Sequence, residues 1–236
     1  MLENIIDVDY AAQTISVRHS AGAILLFDFR AAFPSMSHPF IWETLAAVGI
    51  PEHFLSAIQA LYSKNKHWMR IGTEYLESVE VFSGVRQGCP LSPLLFALCV
   101  DLLLRELAKT LEEDEALCAF ADDTAMVSNN FVRSLPKLAE LFIDFAKISG
   151  LELNILKTVL IPLWLYSNEA TVRQQIQVVC PSWGQIRIES FGKYLGFYIG
   201  PGAKGKSWEK PLQKYQRRAQ EWASLHLGLF FNIKVY

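Results

Sequence analysis

Three carboxylates stand where carboxylates are costly. Asp28 sits in the apolar run Ala23-Ile24-Leu25-Leu26-Phe27-Asp28-Phe29, and Asp122 and Asp123 are adjacent between the stretches 117–121 and 124–128. An ionised group taken out of water loses several kcal/mol of solvation unless something compensates. Neighbouring carboxylates also repel and raise one another's pKa when no cation lies beside them. A divalent ion answers both problems, and a donor set made only of oxygens selects a hard ion such as Mg2+. If the segment around Asp122 and Asp123 is a hairpin that pairs beside the strand of Asp28, the acids meet. They could then hold two ions, roughly 4 Å apart, for an in-line phosphoryl transfer. Taken singly, each acid also has an ordinary reading, because Asp-Asp suits a hairpin tip and an acid at a strand end caps the following turn.

The elements that must position these acids follow from periodicity and turn chemistry. Residues 3–17 place apolar side chains at helical spacing and lead to Gly22 and a strand over 23–29 with Asp28 inside it. Ser37 caps a helix over 38–48 that Gly49 ends, and Pro51 opens another through Tyr62, so two helices follow the strand. Residues 66–71 and 76–82 read as a hairpin around Gly72-Thr73-Glu74-Tyr75. A Gly-Val-Arg-Gln-Gly-Cys-Pro loop then leads to a helix beginning near Pro93. The run Glu112-Glu113-Asp114-Glu115 is unfavourable at the negative end of a helix and is expected as a solvated turn. The hairpin carrying Asp122 and Asp123 precedes a helix over 133–149, stopped by Gly150, and a strand over 158–163. A helix over 169–179, strands over 186–188 and 194–199, and a final helix after Ser207 complete the reading.

Composition narrows the functional class. With 51% hydrophobic and 19% charged residues in 236, the chain has a core's worth of apolar material for one large domain or one and a half. The longest apolar run, from Pro93 through Leu104, is broken by Asp101 and too short to span a bilayer. The N-terminus lacks a secretion signal, so an intracellular protein without a membrane partner is expected, nucleus or cytoplasm undetermined. Cys89, Cys99, Cys118 and Cys180 are spaced for neither zinc nor a disulfide framework, and read as free, mostly buried thiols with no disulfide-linked partner. The histidines have no ligand spacing, which leaves carboxylates for any metal. A net charge of −2 is not the footprint of a nucleic-acid binder. After Pro201, however, Lys204, Lys206, Lys210, Lys214, Arg217, Arg218 and Lys234 face only Glu209 and Glu221, a local charge of +5. This is either a backbone-tracking surface or a solvated helical face.

The segments Phe27-Asp28-Phe29-Arg30-Ala31-Ala32-Phe33, Gly84-Val85-Arg86-Gln87-Gly88-Cys89-Pro90-Leu91-Ser92-Pro93 and Phe120-Ala121-Asp122-Asp123 resemble the ordered palm motifs of reverse transcriptases, particularly those of non-LTR, LINE-like retrotransposons. Leu153-Asn154-Ile155-Leu156-Lys157-Thr158 and Phe191-Gly192-Lys193-Tyr194-Leu195-Gly196 are similar to the next two motifs. The resemblance runs from about residue 22 to 200 in the expected order, and the combination is far more specific than any one motif.

It implies an α+β, polymerase-type palm over 1–200, with an antiparallel sheet carrying the acids and helices packed on one face. It also implies a partial thumb or helical extension over 201–236, and fingers largely absent. The activity implied is RNA-directed DNA polymerisation, with dNTPs, an RNA template, a DNA primer and two Mg2+ ions, or Mn2+. Asp28 and Asp122 would be the principal metal ligands, with Asp123 in support. Phe29 and Phe33 would contact the nucleotide, Phe33 stacking beneath the sugar to exclude a 2′-hydroxyl. Gln87 and Gly88 would lie against the nucleotide. Lys157 would protonate or neutralise pyrophosphate. Gly192, Lys193, Tyr194, Leu195 and Gly196 would grip the primer end. Read alone, Phe33 is equally a core residue, Gln87-Gly88 a turn, Lys157 a surface lysine and 192–196 an ordinary hairpin.

Two departures stand out. Pro34 takes the place where many relatives have a second Asp, and Phe120 replaces a more frequent Tyr. Only 27 residues precede Asp28, and Arg18 and His19 cannot replace the basic fingers residues expected there, so a fragment is anticipated. The rival readings are a palm that binds nucleic acid or assembles without turnover, and a metal-dependent phosphohydrolase that would use the acids without Gln87 or the glycine turn.

Overall fold

The computed structural model describes residues 1–64, 66–164 and 168–224; Lys234 of the basic stretch lies outside them. The chain runs α1 (Leu2–Arg18), β1 (Ala23–Phe27), α2 (Ala32–Ser35), α3 (His38–Ala47) and α4 (Glu52–Tyr62). It continues with β2 (Lys66–Ile71), β3 (Glu74–Glu80), α5 (Ser92–Ala108), β4 (Ala116–Phe120), β5 (Asp123–Ser128) and α6 (Phe131–Ser149). After these come β6 (Val159–Pro162), α7 (Glu169–Val179), β7 (Arg187–Ile188), β8 (Gly192–Tyr194), β9 (Phe197–Ile199) and α8 (Lys206–Ser224). Among the described residues no helix is long and apolar enough to cross a membrane.

The central sheet has the order β4-β5-β1-β6-β7, antiparallel except for the parallel pair β6–β7. All five residues of β1 are buried, as an unbroken apolar strand covered on both faces must be. Ala23, Leu25 and Phe27 face a core shared with α3, α5, α6 and α7. Ile24 and Leu26 face a second core made with α1 and the β8–β9 hairpin. The sequence expectation of an α+β fold holds, with α1 added on the second face.

Ser37 caps α3 as expected, accepting from the Phe40 amide, and Gly150 takes a left-handed conformation to close α6, while α6 starts at Phe131 behind a cap the sequence reading did not name, Asn130, which accepts from the Arg133 amide. Several boundaries differ from the sequence reading. The first strand ends at Phe27, because the Asp28 carbonyl is taken by the Asn154 amide at 2.7 Å and the Arg30 amide donates to the Glu152 carbonyl at 2.8 Å. These loop contacts replace the ladder. A one-turn helix, α2, precedes the two anticipated ones. The hairpin connection after β2 is only Gly72-Thr73.

The acidic run is not wholly solvated. The Glu115 side chain is 0% exposed and accepts from Ser128 Oγ at 2.8 Å, the Asn129 amide at 3.0 Å and Arg133 Nη2 at 2.7 Å. Glu112 pairs with the same arginine, whose hydrogen bond holds its carboxyl below the usual range. The run therefore ties the end of α5 to the start of α6. Of the four free thiols, Cys99 and Cys180 are buried, and burial pushes Cys99 up to about 11.

The strand expected over 194–199 is instead a hairpin. Leu195 and Gly196 have φ of 48 and 92, the two positive values a type I′ connection needs. Tyr194 lies in the second core and donates to the Cys118 carbonyl at 3.1 Å, and burial raises its phenol to about 12. Tyr194→Phe is expected to cost about 1 kcal/mol, read as a lower denaturant midpoint at unchanged slope. No loss at all would mean the hydroxyl is as well satisfied by water.

Candidate active site

The register of the sheet assembles the acids. Phe27 pairs with Thr124 of β5, and Leu26 with Val159 of β6. One residue beyond the first pair sets Asp28 against Asp123, two residues beyond the second set it against Lys157, and the two-residue alternation puts Asp28 on the face of Leu26. A cavity of about 260 Å3 opens there, lined by Asp28, Asp123, Lys157, Arg187, Lys193 and Tyr194 among others. The Asp28 amide reaches Thr158 Oγ1 at 3.4 Å, and that hydroxyl donates to the Asn154 carbonyl at 2.9 Å. Asp28 Oδ2 is buried without a hydrogen-bond partner.

Asp123 begins β5 opposite Phe120, so the connection is the two residues Ala121-Asp122. Ala121 takes a φ of 55, the positive value the first position of a primed turn demands. Asp122 is exposed on this turn and does not line the cavity. Partial burial raises the Asp123 carboxyl above its usual range, with repulsion from Asp122 and Asp28 adding to the rise and Lys193 opposing it. No three His, Cys, Asp or Glu side chains among the described residues are arranged to hold one ion. The donor chemistry nevertheless fits a hard cation: a buried, unpartnered carboxylate oxygen lies beside a second carboxylate whose ionised form is disfavoured without one.

The sign of the Asp123 shift gives a testable pH dependence. A carboxyl whose folded pKa lies above its unfolded value binds protons preferentially in the native state, so ionising it destabilises the fold. In chelator, the melting temperature should fall as pH rises from the ordinary carboxylate range through the elevated Asp123 value, and Asp123→Asn should flatten that segment. A segment equally steep in the variant would place the linkage elsewhere.

The remaining motif residues occupy neighbouring positions. Phe33, Gln87 and Gly88 line a second cavity of about 420 Å3, in which the half-buried Phe33 ring stacks on Phe96 at 4.7 Å and 12°. The loop of Gln87 is fastened to the segment after Asp28: the Gly84 amide donates to the Met36 carbonyl at 2.6 Å, and the Val85 amide to the Phe33 carbonyl at 2.8 Å. The Phe29 ring is buried in the core, 6.0 Å from that of Phe142, so only its backbone is free to meet a ligand. In the β8–β9 hairpin, Gly192 lies so close to Leu26 that a Cβ would come within 2.5 Å of Leu26 Cδ1. Tyr194 is core, Lys193 is exposed at the acids, and Leu195 and Gly196 form the turn. Arg18 and His19 are occupied by Asp114, at 3.3 and 3.4 Å.

Sequence reasoning did not single out Arg187 or Thr158. Thr158 is the last residue of the motif segment 153–158, but no role was assigned to it. Arg187 comes to the site only through the parallel pairing of β7 with β6, for which no local signal exists.

The family model for reverse transcriptase (RNA-dependent DNA polymerase) matches residues 2–199. The chain belongs to the reverse transcriptase family. Among curated relatives, the Pol polyprotein of the type-2 retrotransposable element R2DM of Drosophila melanogaster is 36% identical over 132 residues, 54% of this chain and 12% of that protein. That of an R2 element of Popillia japonica is 33% identical over 196 residues, 78% of this chain and 27% of that protein. The chain thus spans about a quarter or less of these relatives, which are non-LTR retrotransposon proteins as the motifs implied. Apo telomerase from Candida tropicalis has the same fold, at a TM-score of 0.61 and 13% identity, over 89% of this chain and 37% of that one. Left-handed non-glycine residues fall in the turns of three motifs of this chain, at Ala31, Ala121 and Leu195. Strain of this kind persists where surrounding structure fixes it, as at ligand-binding turns.

Proposed function

We propose that the chain performs the nucleotidyl transfer of RNA-directed DNA synthesis, extending the 3′-hydroxyl of a DNA primer on an RNA template with dNTPs. The observation that carries this reading is the buried, unpartnered Oδ2 of Asp28, a residue that lines one cavity with Asp123 and Lys157. Asp28 and Asp123 would hold Mg2+, or Mn2+, with Asp122 joining from the turn. When bound, two such ions lower the pKa of the primer hydroxyl and neutralise charge on the leaving pyrophosphate. Lys157 Nζ holds a proton at the side where pyrophosphate departs. Phe33 bounds the sugar and Gln87 the nucleotide, with Gly88 permitting close backbone approach. Lys193 and the turn behind it support the primer end. The test is primer extension on poly(rA)/oligo(dT) with Mg2+ or Mn2+, comparing the parent with Asp122→Asn. Activity in the parent alone supports the reading.

A second reading, a palm that binds nucleic acid or assembles without turnover, draws on one observation: Asp122 lies outside the cavity of the other two acids. A folded parent that binds primer-template but extends nothing would favour it. A folded parent that hydrolyses phosphate esters and binds no primer-template would instead favour a phosphohydrolase.

A further inference from the structure

We infer that Arg187 is a pyrophosphate-binding residue of this site, receiving the β- and γ-phosphates of a bound nucleotide and the pyrophosphate that leaves. The inference rests on the polymerase reading for the identity of the anion.

Three observations place Arg187. First, Val159 pairs with both Leu26 and Arg187, so Arg187 belongs to the sheet face that carries Leu26 and, one step on, Asp28. Its neighbour Ile188 pairs with Leu160 and joins the opposite core, which fixes the alternation. Secondly, its backbone is tied to the acids through one residue: the Arg187 amide donates to the Thr158 carbonyl at 3.1 Å, while Thr158 Oγ1 is approached by the Asp28 amide. Thirdly, Arg187 lines the same cavity as Asp28, Asp123, Lys157 and Lys193.

The charge of that cavity argues for an anion. Its lining carries three cations, Lys157, Lys193 and Arg187, against the two carboxylates Asp28 and Asp123, and metal bound at those carboxylates would leave the cations for phosphoryl oxygens. Its Nη2 is held by Glu189 Oε1 at 2.8 Å, with the arginine side chain 54% exposed. That contact uses one edge of the planar fork and limits its swing, and the other donors remain for phosphoryl oxygens, which guanidinium meets in a bidentate geometry that ammonium cannot supply. Lys157 remains the proton carrier of the proposed reaction.

Direct binding of inorganic pyrophosphate in the presence of Mg2+, by calorimetry on the parent, Arg187→Gln, Arg187→Lys and Glu189→Gln, tests this without turnover. Arg187→Gln should bind about tenfold more weakly or worse, as loss of a charge-assisted contact predicts, with Arg187→Lys between it and the parent. Glu189→Gln, which keeps the cation, should bind within about threefold of the parent. If Arg187→Gln does not fold, weakened binding by a folded Arg187→Lys carries the same meaning. A parent that binds no pyrophosphate overturns the inference, as do equal affinities in parent and Arg187 variants, or a loss in Glu189→Gln as large as in Arg187→Gln. Pyrophosphate binding that needs Arg187 in a parent unable to extend primers would remove the polymerase reading and leave the anion site standing. Extension with binding indifferent to Arg187 would do the reverse.

Discussion

Asp28→Asn is expected to reduce primer extension on the order of a thousandfold while leaving the metal-free melting temperature unchanged or higher. The amide has the shape of the carboxylate, so packing around residue 28 and its backbone contacts to Asn154 and Thr158 are kept. What it removes is negative charge at a buried oxygen that no donor satisfies. Without a metal that charge is a burden on the fold, since it also repels Asp123. With a metal it is a ligand. Mg2+ at a hundred times its dissociation constant would stabilise the parent by about 2.7 kcal/mol. Most of the corresponding rise in melting temperature should be absent from Asp28→Asn. Opposite effects on stability and on activity mark a group kept for chemistry at the expense of the fold. If the variant extended primers within tenfold of the parent, or kept the full Mg2+ stabilisation, Asp28 would not be a ligand.

Much of this site was legible in the sequence because its parts are local. An acid at the end of an apolar run, a pair of acids at a hairpin and a glycine-bounded loop are each readable within ten residues or so. Their order along the chain carried the family resemblance. What the sequence did not disclose depends on register and distant pairing. Which of Asp122 and Asp123 faces the cavity is set by a connection of only two residues, and a one-residue slip would exchange them. Glu115 looks like one more acid in a solvated run until Arg133, at the start of the next helix, closes over it. The hairpin over 192–196 was readable from its glycines, but the strand expected over 194–199 ran through its turn, because leucine is an unfavourable residue at the positive φ that Leu195 takes. Arg187 enters through a parallel strand pair whose partners lie 28 positions apart.

Gly84→Ala should destabilise the fold by about 3 kcal/mol and raise the KM for dNTP, whereas Gly88→Ala, in the same loop, should cost only about 1 kcal/mol. Both glycines have positive φ, 86 and 82, so either substitution forces alanine into a region that costs roughly 1–2 kcal/mol. They differ in their surroundings. A Cβ at Gly88 meets nothing within 4 Å, while one at Gly84 would fall 2.6 Å from both Cα and O of Pro34. Backbone cannot give way as a side-chain tip can, so overpacking adds about 1–3 kcal/mol at Gly84 alone. The contact also lies inside a clamp: Ser83 Oγ donates to the Pro34 carbonyl at 3.1 Å, and the His38 ring nitrogen bonds the Gly84 carbonyl at 2.9 Å. Pushing residue 84 away from Pro34 therefore moves the loop bearing Gln87 relative to Phe33, and these two line one cavity. The nucleotide should be held less well before the acids are disturbed, which predicts a KM effect larger than the kcat effect. Equal stability losses at positions 84 and 88 would show that backbone conformation alone sets the cost. A kcat loss without a KM change would show that the clamp acts on the acids and not on nucleotide binding.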